Sequence, residues 1–229
     1  MKNKIVFLRH GESKWNLKNK FTGWYDVNLT NKGKKEALLA GSSLRKNNFF
    51  FDKVYTSVLK RAIHTVWKVL DQLNQPWLEV KKTWRLNERH YGDLQGLNKE
   101  SVIDTYGKKK IVAWRRSYHS VPPKMIISKH KFSGYDKRYD KLKKSQVPTN
   151  ESIELTLKRV LPYWNKIILP KFKKNKKILV VAHGNSLRAL IKFLANINDK
   201  KFPDLNIPTG IPIIYEFDES FNPIKYYFL

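Results

Sequence analysis

Two unbroken apolar runs stand out along the chain, Ile5-Val6-Phe7-Leu8 and Ile178-Leu179-Val180-Val181-Ala182. Runs this short, without alternation, fit strands buried on both faces of a parallel sheet. Elsewhere the period is helical. Leu59, Ala62, Ile63, Val66, Leu70 and Leu73 make one stripe over 57–74, with Thr56 or Ser57 as the expected N-cap. Leu187, Leu190, Ile191 and Leu194 make another, opened by Asn185-Ser186. A third passes through Ile153, Leu157, Val160 and Leu161, where Pro162 should kink or restart the helix. Thr30 is placed to cap a helix carrying Leu38, Gly41 and Leu44.

Buried strands followed by helices of this length predict an α/β fold rather than a helical bundle. Residues 122–148 break the pattern, with Pro122-Pro123, many lysines, Ser133-Gly134 and no sustained period. They read as a long excursion with at most short helices, functional rather than a linker. No repeat or low-complexity tail appears, so residues 1–229 are expected to form one catalytic domain.

Composition narrows the class. Hydrophobic residues make up 41% and aromatics 13%, too much core material for a disordered polycation. No cysteine is present, which removes disulfides, thiolate metal sites and a cysteine nucleophile. No apolar run approaches the roughly 18 residues that cross a bilayer, and the start is too short in apolar residues for a signal peptide. A soluble, cytoplasmic protein without a membrane partner is expected. The net charge is +27, from 46 basic and 19 acidic residues. Such charge raises nucleic acid as a partner, yet the lysines are scattered in short runs and no nucleic-acid-binding motif accompanies them. Solvated Lys-rich faces, with some attraction for small anions, are the simpler account.

The chemistry gathers at strand ends. The first strand runs into Arg9-His10-Gly11-Glu12-Ser13, and the second into His183-Gly184-Asn185-Ser186. Ligands of open α/β sheets bind at the carboxyl ends of strands, where glycine admits close backbone approach and helix N-termini offer amides to anions. Arg61 follows a short strand around Val54-Tyr55 and should reach the same edge, putting two arginines beside two histidines. Glu88, between Arg85 and Arg89, could act as a general acid/base or simply pair with Arg89.

These strings, with Trp15-Asn16, Phe21-Thr22-Gly23-Trp24, Glu88-Arg89-His90-Tyr91-Gly92, Gly96-Leu97-Asn98-Lys99 and Trp114-Arg115-Arg116, resemble the 2,3-bisphosphoglycerate-dependent phosphoglycerate mutases of the histidine phosphatase superfamily. The likeness runs from about residue 4 to residue 228. It implies a three-layer α/β/α fold with a mainly parallel sheet, and interconversion of 2- and 3-phosphoglycerate in glycolysis and gluconeogenesis. By the same resemblance His10 becomes phosphorylated, Glu88 moves the substrate proton and His183 stabilises the transferring group. Arg9, Ser13, Asn16, Arg61, Tyr91, Lys99, Arg115, Arg116, Gly184 and Asn185 would hold phosphate and carboxylate oxygens. Thr22 and Gly23 would line the pocket, and Arg89 and His90 would complete the loop after Glu88.

The resemblance further implies priming by 2,3-bisphosphoglycerate, no metal, phosphoglycerates as partners and a homodimer or homotetramer. A phosphatase on the same scaffold is the enzymatic alternative, and a basic nucleic-acid-binding protein the alternative from another class. The sequence stops at Leu229, just after Tyr226-Tyr227-Phe228, where family members commonly continue into a mobile tail over the site. A raised ratio of phosphatase to mutase activity is the corresponding expectation, unless the 122–148 excursion covers the pocket instead.

Overall fold

The structure, a computed structural model, describes residues 3–129 and 132–229. The amino-terminal Met1-Lys2 and the middle of the 122–148 excursion, His130-Lys131, lie outside them. In chain order the main elements are β1 (Asn3–Arg9), α1 (Lys14–Leu17), α2 (Asn31–Lys46), β2 (Lys53–Thr56), α3 (Lys60–Gln72), β3 (Val80–Lys82), α4 (Val102–Tyr106) and α5 (Lys108–Arg116). They continue with α6 (Ile153–Tyr163), α7 (Leu169–Phe172), β4 (Ile178–Ala182), α8 (Gly184–Leu194), β5 (Pro212–Phe217) and β6 (Pro223–Phe228).

One sheet orders its strands β3-β2-β4-β1-β5-β6. The four strands from β3 to β1 pair in parallel, and β5 and β6 close that edge antiparallel. The two apolar runs of the sequence, β1 and β4, are neighbours at the centre, with Phe7 opposite Val180. Their period of two separates the faces. Ile5, Phe7, Ile178 and Val180 pack with Leu157, Val160, Leu187, Leu190 and Ile191 of α6 and α8. Val6, Leu8, Leu179 and Val181 pack with Ala40, Leu44, Val66, Val69 and Leu70 of α2 and α3. Both faces are therefore covered by helices, as a continuous apolar strand requires. No described helix is long and apolar enough to cross a membrane.

Thr30 caps α2, its Oγ1 accepting from Gly33 N at 2.9 Å. The helix expected at 57–74 begins later, at Lys60, because Ser57 Oγ accepts from Leu59 N instead of from a helical amide. A distant residue supplies the cap: Asp26 Oδ1 accepts from Lys60 N at 2.8 Å. Pro162 lies inside α6, and a π-helical turn over Trp164–Ile168 follows it before α7. Proline removes one ladder donor and its ring displaces the preceding carbonyl, so the register shifts rather than the helix ending.

The 122–148 excursion holds only single helical turns among its described residues. It is not structureless filler. Met125, Phe132, Tyr139 and Val147 surround Trp24 in a separate apolar cluster.

Candidate active site

The carboxyl ends of β1 and β4 bring His10 and His183 together, with ring centroids 4.9 Å apart. Both rings are buried. His10 Nδ1 lies 2.7 Å from Gly11 O, and a carbonyl only accepts, so this nitrogen carries the proton. Nε2 is thereby the unprotonated nitrogen, and its lone pair accepts from Arg61 Nε–H at 3.3 Å. Burial, then Arg61 and Arg9, hold the His10 pKa well below its ordinary value. Burial and Arg61 do the same for His183. Two neutral imidazoles thus sit side by side at neutral pH.

Arg61 itself is buried and is fixed by Tyr25 O and Gly23 O, each 2.8 Å away. Burial brings its guanidinium pKa down to about 10, which still leaves it charged at neutral pH. His183 is the N-cap of α8, so the residues after it, Gly184 and Asn185, offer their amides at a helix N-terminus. Gly184 matters by what it lacks: a Cβ there would stand 3.4 Å from Arg9 Cζ, which lies against the helix start.

Glu88 is buried, and its Oε1 accepts from Arg89 N at 2.8 Å and from Asn185 N at 3.1 Å. Pairing with the Arg89 guanidinium, the simplest expectation for that loop, does not occur. Two backbone amides hold the carboxylate, and Arg89 lies over the Tyr91 ring, 4.4 Å from its centroid.

From behind, Glu88 O accepts from Trp24 Nε1 at 2.7 Å and from Arg159 Nη2 at 2.9 Å. Arg159 also binds Arg85 O at 2.7 Å and Asn87 O at 3.0 Å, and pairs with buried Glu151 at 2.6 Å. The excursion therefore braces this loop through Trp24 and Tyr139, whose hydroxyl accepts from Asn87 Nδ2 at 2.9 Å. None of its described residues lines the cavity that Glu88 shares with Arg9 and Asn185.

That cavity, about 160 Å³, opens above the histidines. Of the residues expected from sequence, Arg9, Asn16, Thr22, Gly23, Glu88, Tyr91, Lys99, Arg115, Arg116, Gly184 and Asn185 line it. His10, His183, Arg61 and Arg89 are buried and do not line it. Ser13 and His90 are spent elsewhere. Ser13 caps α1 against Asn16, and His90 Nδ1 accepts from Gly92 N at 3.1 Å.

Sequence reading missed Lys20, Arg188 and the 205–207 segment, all of which line the cavity. Arg188 was detectable in principle, one helical turn from Asn185, whose Oδ1 it reaches at 3.2 Å. The 202–207 segment carries no motif, yet its carbonyls anchor three arginines. Arg9 donates to Ile207 O at 2.7 Å, Arg116 to Pro203 O at 3.1 Å, and Arg188 to Leu205 O at 2.9 Å.

Several buried donors remain without an acceptor among the described residues: Arg9 Nε, all three guanidinium nitrogens of Arg89, and His183 Nδ1. Arg9, which lines the cavity, thus keeps an unmatched cationic donor that suits an anionic ligand, and His183 Nδ1 can join it in the tautomer that carries the proton there. Beyond the cavity rim, His119 lies between Glu154 Oε2 at 3.0 Å and Asp199 Oδ2 at 2.9 Å, just past Arg115 and Arg116 at the end of α5.

The family model described as histidine phosphatase superfamily (branch 1) matches residues 5–228. A 2,3-bisphosphoglycerate-dependent phosphoglycerate mutase of Buchnera aphidicola subsp. Schizaphis graminum is 56% identical over 227 residues, covering 99% of both chains. Among solved structures, a mycobacterial glucosyl-3-phosphoglycerate phosphatase superposes with a TM-score of 0.73 at 23% identity, covering 99% of this chain and 97% of the other. The alpha-ribazole phosphatase of Shigella flexneri gives a TM-score of 0.71 at 21% identity, covering 97% of this chain and 94% of the other, a likeness of fold. The chain belongs to the histidine phosphatase superfamily and, within it, to the family of 2,3-bisphosphoglycerate-dependent phosphoglycerate mutases.

Proposed function

We propose that this protein interconverts 2-phosphoglycerate and 3-phosphoglycerate through a phosphohistidine primed by 2,3-bisphosphoglycerate. The observation that carries the reading is the pair of neutral imidazoles beneath a cation-lined cavity that has Glu88 on its wall. The extent of the mutase relative's identity supports it across the whole chain.

The residues divide the chemistry as follows. His10 Nε2, left unprotonated by the Nδ1–H bond to Gly11 O, attacks phosphorus in line with the departing substrate oxygen once Arg61 Nε–H turns from it to a phosphoryl oxygen. An N–P bond forms as the P–O bond breaks. With the bisphosphate as donor this leaves a monophosphoglycerate, Glu88 giving a proton to the departing oxygen. In the other direction Glu88 takes the proton from the free hydroxyl of a bound monophosphoglycerate as the phosphoryl group passes to it from His10, regenerating the bisphosphate. Arg61, held by two backbone carbonyls, neutralises equatorial phosphoryl oxygens, and His183 Nδ1 stands ready to donate when it carries the ring proton. Fixed cations thus provide the charge stabilisation that a metal provides in other phosphoryl transferases. The substrates are water-soluble metabolites, and on this reading the enzyme works in the cytoplasm as a homo-oligomer.

The test is isomerisation measured with and without catalytic 2,3-bisphosphoglycerate, alongside release of inorganic phosphate. Isomerisation that depends on the bisphosphate supports the mutase. Phosphate release with no isomerisation would favour a phosphatase.

A further inference from the structure

Six cations line the cavity beside the two histidines: Arg9, Lys20, Lys99, Arg115, Arg116 and Arg188. They are not equivalent. Arg9, Arg116 and Arg188 already donate to backbone carbonyls of the 202–207 segment. Lys20, Lys99 and Arg115 have no carbonyl or carboxylate partner for their side chains among the described residues. Among the cavity-lining cations, these three have their whole charged heads left for a ligand, whereas Arg9 keeps only its Nε unmatched.

Lys20 and Lys99 both line the cavity, from two segments whose backbones are paired. Lys20 bridges antiparallel to Asn98, Phe21 N donates to Leu97 O at 3.0 Å, and Lys99 N to Asn19 O at 2.8 Å. The ammonium of Lys20 lies 5.6 Å from the Trp15 ring centroid, and Trp15 rests against Tyr25 at 5.0 Å. A cation held over an aromatic face gives up less freedom when an anion arrives than one swinging in solvent. Lys20 is half-buried, at the mouth, whereas His10, Arg61 and His183 lie fully buried at the floor.

We propose that Lys20 is a specificity-determining residue of this site, binding the anionic group of the ligand that is not being transferred, and so favouring ligands with an anion at each end over a lone phosphate. The proposal rests on the phosphoglycerate reading above. A phosphate alone engages the floor. A bisphosphorylated three-carbon acid, or a phosphorylated one, places a second anion toward the mouth, where Lys20 and Lys99 meet it. Charge-assisted hydrogen bonds of this kind are worth about tenfold or more in affinity.

Calorimetric titration of wild type, Lys20→Gln and Lys20→Arg with 2,3-bisphosphoglycerate, and separately with inorganic phosphate, tests this. Lys20→Gln should bind the bisphosphate about tenfold more weakly and inorganic phosphate nearly as well as wild type, which also shows that its floor is intact. Lys20→Arg should restore most of the loss. In turnover, the Lys20→Gln defect should fall on KM for 3-phosphoglycerate more than on kcat. Undiminished bisphosphate binding by Lys20→Gln overturns the proposal, and so does an equal loss for both ligands, which would mean a diffuse field effect. A wild-type protein that binds inorganic phosphate but not the bisphosphate would overturn the phosphoglycerate reading itself, a result distinct from either.

Discussion

Arg61 Nε–H approaches His10 Nε2 at 3.3 Å, while the other ring nitrogen of His10 is tied to Gly11 O at 2.7 Å. The guanidinium therefore occupies the direction from which the nucleophilic lone pair acts. Once a phosphoryl group sits between them, the same N–H can turn from the imidazole to a phosphoryl oxygen. Arg61 can do this without losing its place, because Tyr25 O and Gly23 O hold its other two nitrogens.

From that arrangement follows a labelling experiment. Incubation with 2,3-bisphosphoglycerate should give an acid-labile, base-stable phosphoprotein, the behaviour of a phosphoramidate. His10→Ala should carry no label and show no mutase activity. His90→Ala should keep the label, since His90 is occupied with the Gly92 amide. Label on His10→Ala would mean the nucleophile lies elsewhere.

Glu88→Gln tests the proton carrier. The amide can still accept from the Arg89 and Asn185 amides, so the loop should keep its shape. Turnover should fall by roughly 10²–10⁴-fold, the range for removing a general acid/base. Inorganic phosphate affinity, set by the arginines, should change by much less. A Glu88→Gln enzyme with near wild-type kcat would remove Glu88 from the reaction.

Acid should act on the fold through the site histidines. His10 and His183 are held well below 6.5, chiefly by burial, so the folded state stays neutral where the unfolded chain takes up protons. Their contribution to stability is full above pH 6.5 and is lost as pH falls below it. His119 behaves oppositely. Hydrogen bonds to Asp199 and Glu154 raise its pKa, so its contribution is full below 6.5 and disappears as pH rises through the folded value. Thermal unfolding of wild type and His119→Gln should differ most near pH 6 and converge in alkali, with the gap narrowing in high salt. A gap that grows with pH would contradict the assignment.

The brace behind Glu88 predicts a contrast between neighbours. Arg159→Met strands buried Glu151 and removes donors from Arg85 O, Asn87 O and Glu88 O, so urea unfolding should show a loss of about 3–5 kcal/mol. Lys158→Met removes only an exposed i,i+4 pair with Glu154 and should leave the unfolding midpoint almost unchanged. Equal costs for the two substitutions would show that the buried network carries no special load.

The sequence made the floor of the site legible and left its walls obscure. His10 and His183 could be placed because each follows an apolar run whose burial fixes the strand and its end. Arg115 and Arg116 were found as an adjacent pair, although nothing local shows that they reach the cavity. Lys20 was hidden among 36 lysines, and its role depends on a pairing with Asn98 across 78 positions of chain. The start of α3 was misplaced for a similar reason, since its cap comes from Asp26. The excursion over 122–148 had no readable period because it builds a small core around a residue far earlier, Trp24. Contacts of that range leave no local pattern.

The three arginines anchored on the 202–207 carbonyls have a consequence for how such a site drifts over generations. Every residue type presents the same carbonyl oxygen, so the exposed positions of this stretch can change while the guanidinium groups stay aimed, whereas Phe202, Leu205 and Ile207 are held by the core they fill. Length is another matter. Inserting or deleting one residue would move every downstream oxygen out of phase with its arginine at once. This stretch should therefore tolerate altered spelling at its exposed positions and reject altered spacing anywhere, leaving exposed side chains, Asn206 among them, open to selection for new ligands.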